Sequence, residues 1–262
     1  MRSLYIGATG MLAQQTNVDV ISNNIANMNT TAYTRRRAEF NDLLYQNIVR
    51  PGSQSSASQT VVPSGLQLGL GVRTAAVYRI TEGSGLTNTT NTLDLAIQGR
   101  GYFQIELPEG KGTAYTRDGA FQRNGDGVIV THDGYVVQPE ITIPEDAVEV
   151  YINNSGEVWV KQDGETDEIN VGQLELATFV NEAGLEAMGQ NLFLETEASG
   201  APNVDNPDTE GFGSILQGYL ETSNVNAVSE ITELVSAQRA YEMNSKIITI
   251  SDEMLTTINQ MN

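Results

Sequence analysis

The side chains able to do chemistry are few in kind and poorly placed for it. His132 is the single histidine among 262 residues, and there is no cysteine. A Cys-ligated zinc or iron–sulfur centre, a His-rich metal site and a disulfide framework are thereby excluded. His132 stands in His132-Asp133-Gly134, a turn signal, where a solvated side chain is the expected role. Gly99-Arg100-Gly101 and Gly69-Leu70-Gly71 begin like a dinucleotide fingerprint, but Gln104 and Thr74 occupy the sixth position. The Walker pattern fails because no glycine precedes Gly110-Lys111 at the required distance. Asp167-Glu168 and the Asp205/Asp208 pair could hold a hard cation, yet the calcium-loop spacing is absent and Pro207 interrupts it. Solvated loop carboxylates are the expected reading, and only an accidental glycosidase-like pair stays open among so many acids. No catalytic residue, cofactor or metal ligand is assigned, and the chain is not read as an enzyme.

The one basic cluster is Arg35-Arg36-Arg37. Nucleic acid or anionic lipid would use such charge, but no basic amphipathic helix or interleaved aromatic surrounds it. It is better suited to an acidic surface elsewhere in the same protein, met in a polymer. Charge supports this. The chain has 14 Lys+Arg against 33 Asp+Glu, a net −19, which makes it a poor general partner for phosphates. Through residue 80, seven basic residues face Asp19, Glu39 and Asp42, for +4, and the remainder carries −23. Segments so different have different neighbours.

The elements that must position these groups read in three parts. Leu4, Met11, Val18 and Ile25 recur every seven residues, with Ile21 and Met28 three beyond the last two. This is an a/d stripe on a helix that fades near residues 27–31, where Asx and hydroxyl side chains compete with the backbone. Leu234, Tyr241, Ile248 and Leu255 repeat the pattern at the other end, with Ala237 and Ile258 extending it. Asn226 is the expected N-cap and Glu230 a first-turn acid, for a helix over about 226–259. Between them the period drops to two. Hairpins are expected from Val128–Thr131 to Tyr135–Gln138 and from Val148–Ile152 to Val158–Val160. Few aromatics suggest a modest core. The fold class is therefore α+β, with an all-β outer domain over 71–225. Long helices over 1–30 and 226–262 form a coiled-coil layer, and an extended, loop-rich segment over 31–70 joins the parts.

One narrow seam between two helices is too little burial to order both ends, so they are expected to pair and also to pack on other molecules. The plainer alternative is a helical layer lying on the β domain. No run of about 18 apolar residues exists, and no cleavable secretory signal is visible at the start.

Four ordered motifs then identify a resemblance. Residues 22–35, Ser-Asn-Asn-Ile-Ala-Asn-Met-Asn-Thr-Thr-Ala-Tyr-Thr-Arg, resemble the "NNIAN-x-x-T-x-G-Y-x-R" signature of bacterial flagellar rod and hook axial proteins. Here Asn23, Asn24, Asn27, Tyr33 and Arg35 match, and Ala32 replaces the usual glycine, which weakens any claim for a positive φ there. Leu93 to Phe103, Tyr115 to Phe121, and Ser223 to Asn226 with Gln238 to Glu242 are similar to the family's central and C-terminal motifs. A long stretch including Tyr45, Gln46, Pro51, Gly52, Pro63 and Gly65 is similar to its distal-rod members rather than to hook proteins. The resemblance implies a subunit exported unfolded without a cleaved signal, located in the basal body outside the cytoplasm. It implies a rigid helical tube that transmits motor torque to the hook, with the stretch keeping it straight. Its partners would be itself, proximal rod proteins, the hook protein, the surrounding P- and L-ring bushing and the flagellar export apparatus, with no nucleic acid or small-molecule substrate. The assembly seams would be Leu4, Met11, Val18, Ile21, Ile25, Leu234, Tyr241, Ile248 and Leu255. Another axial subunit, or a secreted β-rich adhesin, is the alternative.

Overall fold

A computed structural model describes residues 2–51, 64–108, 112–164 and 168–261. The chain divides into two compact units. The first comprises Met1–Ala26, Arg36–Arg79 and Asn226–Asn262, and the second Asn27–Arg35 and Ile80–Val225.

The helical unit is built on α1 (Arg2–Ala26) and α2 (Ala227–Met261). Nothing after Gly218 is Gly or Pro, so α2 runs 35 residues without a breaker, about 50 Å at 1.5 Å per residue. Its start is fixed as the sequence suggests. Asn226 Oδ1 accepts the backbone N–H groups of Val228 at 3.1 Å and Ser229 at 3.2 Å. A cap of this kind satisfies orphan donors and stabilises by about 1 kcal/mol. The strands Arg36–Asp42 and Val72–Arg79 pair antiparallel into a ribbon that packs on α1. Tyr45–Val49 pairs with Leu66–Gly69.

The segment expected to be an extended connection thus carries three of these strands. Val72–Arg79, expected in the β domain, belongs instead to the helical unit because its ladder partner is Arg36–Asp42.

The second unit is β-rich. Its largest sheet runs in the order Glu186–Gly189, Leu192–Leu194, Thr113–Thr116, Tyr102–Glu106, Leu176–Thr178, Asn203–Asp205, with Val137–Gln138 also pairing with Tyr102–Glu106. Aliphatic residues fill the core around Phe103 and Phe121, whose rings meet edge-on at 5.1 Å. Leu95, Ile97, Ile105, Ile129, Ile143, Leu176 and Ile215 are all fully buried there. A low aromatic content therefore does not make this core small. Burial of Tyr115 in a smaller satellite cluster, with the Glu195 charge nearby, pushes its phenol above the usual value.

The hairpin over 147–162 forms as expected, with Tyr151 opposite Trp159 and Ile152 opposite Val158. The one proposed around His132 forms its turn, closed by Gly134 N–H to Thr131 O at 2.9 Å, and a single bridge beyond it. Val136 bridges Val130, but Val137 pairs with Ile105. Burial of Val137 in the core draws its strand to the central sheet, while Phe121–Arg123 takes the ladder of Ile129–Thr131.

Candidate assembly surface

In the helical unit, α1 and α2 run antiparallel: Gly7 meets Ile248, Gly10 meets Asn244, and Asn24 meets Glu230. A Cβ on Gly7 would lie 2.9 Å from Ile248 Cγ1, and one on Gly10 would lie 2.9 Å from Asn244 Nδ2. The glycines thus mark where the helices approach most closely, which offsets their poor helix propensity of about 1 kcal/mol each.

The seam differs in character from a plain apolar stripe. Ile21 is buried, but Leu4, Met11, Val18, Ile25, Leu234, Ile248 and Leu255 reach only intermediate burial. Tyr241, expected in the seam, is 43% exposed, and Ile258 is exposed as well. The fully buried positions are Gly7, Ala13, Ile21 and Asn24 on α1, and Glu230, Ala237 and Ser251 on α2. Glu230, Ala237, Asn244 and Ser251 themselves recur every seven residues. That second register was legible, but small and polar residues do not register in a search for apolar spacing.

Asn24 is the joint of this unit. Its Nδ2 donates to Arg36 O at 2.8 Å and to Glu230 Oε2 at 3.1 Å, and its Oδ1 accepts Arg36 N–H at 2.9 Å. One amide therefore ties α1 to the ribbon and to the start of α2, with every side-chain function used.

From Asn27 to Arg35 the motif lies in the β unit. Arg35 N–H donates to Asn224 Oδ1 at 2.7 Å, and Asn224 N–H to Tyr33 O at 3.3 Å. Asn224 Nδ2 reaches Ile80 O at 2.9 Å. The Arg35 guanidinium sits 3.7 Å from Glu82 at an exposed site, a pair of little energetic weight. Ala32 donates its N–H to Glu221 O at 2.9 Å and has φ +54°. The positive φ is thus kept without the glycine. The backbone turn persists, and a methyl is the smallest Cβ that the strained region must accommodate.

Glu221 is also where Arg117 ends, Nε to Oε2 at 2.8 Å, while Ser84 Oγ donates to Oε1 at 2.8 Å. The Arg117 guanidinium donates further to Gly99 O and Gly101 O. Both charges are nearly buried, and such a pair holds geometry rather than adding much stability. Sequence reading missed Arg117, Glu221, Asn224 and Glu230 as joints, because their partners lie far away in the chain. A groove of about 760 Å3 adjoins this pair, with Arg100 held to Glu182 at 3.0 Å on its wall. Its charged side chains are committed to each other.

Of the stretch assigned to stiffness, Tyr45 lies opposite Gly69 and Gln46 opposite Leu68. A hydrogen bond to Asp42, and that carboxylate's charge, raise the Tyr45 phenol above its ordinary value. Gly65 lies tight against Val49 and Pro51. Gly52 and Pro63 lie outside the described residues.

The helical unit leaves a set of large apolar side chains open. On α2, Val228, Ile231, Val235, Met243, Ile247, Ile250, Met254 and Ile258 are exposed, Met243 by 62%. On α1, Tyr5 and Leu12 are exposed, Leu12 by 65%. No described helix is long and apolar enough to cross a membrane, and no cluster of three metal-ligating side chains occurs among the described residues. By sequence, the helical unit has eight basic and eight acidic residues, net zero, and the β unit six against 25, net −19. Helices that pair through small and polar side chains while exposing a long apolar face define a subunit of an assembly.

Comparison with known proteins gives the particular family. Residues 4–34 match the family described as flagella basal body rod protein. Residues 96–160 match the flagellar hook protein FlgE/F/G D1 domain, and 216–261 the flagellar basal body rod FlgEFG protein C-terminal region. The flagellar basal-body rod protein FlgG of Caulobacter vibrioides is 59% identical over 261 residues, covering 100% of this chain and 99% of that protein. That of Agrobacterium fabrum is 54% identical, covering 99% of each, and that of Bacillus subtilis 42%, covering 97% of each. The chain belongs to the flagellar basal-body rod protein family, and is by that membership a structural subunit of the flagellar rod.

Proposed function

We propose that the chain is the distal rod subunit, polymerising into a rigid helical tube that carries motor torque through the envelope to the hook. The observation that carries this is the apolar face of α2, eight large side chains left open along one helix. Burying them against further copies supplies the driving force that the small, polar α1–α2 seam does not. The inner layer of the tube is then a coiled coil of terminal helices, and the acidic β unit lies outside. Its partners are proximal rod proteins, the hook protein and, where present, the P- and L-ring bushing. The subunit reaches them through the flagellar export apparatus. The stretch over about 46–70 keeps the tube straight.

Electron microscopy of concentrated protein tests the reading. Helical tubes are the expected outcome, and monodisperse particles at every concentration would overturn it. Leu234→Asp or Ile248→Asp opens the α1–α2 seam, so tubes should disappear while the β unit keeps its fold by circular dichroism.

A further inference from the structure

We propose that the open stripe of α2 in one copy seats in a groove carried by the helical unit of a second copy, between its α1 and its ribbon. The proposal rests on the polymer reading and names the two surfaces that meet. The groove has a volume of about 520 Å3. Its lining is mixed: Ala13 is buried and Leu43 and Val72 are partly buried, beside Thr9, Thr16 and Thr74. Tyr5 and Leu12 stand exposed on its α1 side, and it carries two charges, Asp19 and Arg73. Among the described residues neither charge has an ionic partner.

The stripe complements such a site in apolar character and in charge. Met243, Ile247, Ile250 and Met254 follow at spacings of four, three and four, one face of a helix. Two of the four are methionines, whose flexible thioethers fill irregular apolar gaps. Lys246 and Glu253 precede Ile247 and Met254 and edge the stripe, seven residues or about 10.5 Å apart. They too lack ionic partners among the described residues. Glu253 is complementary to Arg73, and Lys246 to Asp19. A stripe packed on another stripe would leave Tyr5, Leu12, Asp19 and Arg73 uncovered.

The consequence is geometric. Stripe and groove are different patches of one chain, so each docked copy still offers one of each. A heterologous contact of that kind does not close into a dimer; it closes into a ring or grows as an open, polar helix, and the rod reading takes the second.

Mixing two variants of the full chain tests this. Leu12→Asp spoils the groove and keeps the stripe, and Ile250→Asp spoils the stripe and keeps the groove. Each alone should sediment as a monomer at concentrations where the wild type forms tubes. An equimolar mixture should give a 1:1 dimer that grows no further. A mixture that stays monomeric, or Leu12→Asp dimerising by itself, would overturn the docking. Arg73→Glu should raise the critical concentration for assembly about tenfold, and Glu253→Arg in the same chain should restore it. A double variant no better than its parents also overturns the docking. A wild-type chain that never assembles sinks the polymer reading together with this one, whereas tubes with a monomeric mixture sink the docking alone.

Discussion

The two units solve the problem of burial in opposite ways. The β unit closes on itself: Phe103, Ile105, Leu176 and Ile215 are sealed in its core, and the entire net charge of −19 belongs to it. The helical unit is neutral, seals Gly7, Ala13, Ile21, Asn24, Glu230 and Ser251 inside, and turns most of α2's isoleucines and methionines outward. Hydrophobic burial scales with apolar area removed from water. The first unit has spent most of its large apolar side chains internally, although Val148, Tyr151 and Val180 stay exposed, and on the polymer reading the second holds its stripe for a partner. A subunit that must be stable in shape yet eager to polymerise needs both.

The sharpest way to break this contrast is to delete one large side chain from each unit. Phe103→Ala should destabilise the β unit by about 3–5 kcal/mol, the usual cost of a large aromatic lost from a packed core. Ile247→Asp, on the open face of α2, should cost the isolated chain less than about 0.5 kcal/mol while abolishing assembly. Urea unfolding followed by near-ultraviolet and far-ultraviolet circular dichroism separates the two units. An equal loss of stability in both variants would mean that α2's open face is already buried in the single chain.

Next in size is the joint of the helical unit. Asn24→Ala would leave the Glu230 carboxylate and the Arg36 backbone without the partners that now satisfy them. Buried unsatisfied groups cost about 1–3 kcal/mol, more when charged, so a loss of about 2–3 kcal/mol in the helical transition is expected. Asn24→Asp should be worse, because it sets a second carboxylate against Glu230. Unchanged helical unfolding in both variants would remove Asn24 from its role.

Much of this was legible in the residues and some was not. Both terminal helices follow from uninterrupted seven-residue spacing and from Asn226 as a cap, and the 147–162 hairpin follows from its turn residues. The seam's true register was hidden because Glu230, Asn244 and Ser251 are polar, and a polar heptad resembles a solvent face until its partner is known. Tyr241 was assigned to the seam by spacing alone, and the antiparallel approach of α1 leaves it exposed. Strand Val72–Arg79 was misplaced because alternation specifies a strand and not its ladder partner. Arg117 with Glu221, and Arg35 with Asn224, join residues more than a hundred positions apart, which no local pattern encodes.

The smallest expected effect concerns the turn where the helical unit's motif enters the β unit. Ala32 holds φ +54° with its N–H bound to Glu221 O. An L-residue with a Cβ loses about 1–2 kcal/mol in that region, and glycine avoids this at a cost of roughly 0.5–1 kcal/mol in unfolded-chain entropy. Ala32→Gly should therefore stabilise the β unit by up to about 1 kcal/mol, read as a small rise in its urea midpoint with the slope unchanged. The helical transition of the isolated chain should not move. A drop in the β-unit midpoint would mean that the Ala32 methyl, which is buried, contributes more by packing than the turn loses by strain. The β unit would then rely on its edge contacts as much as on its sealed core.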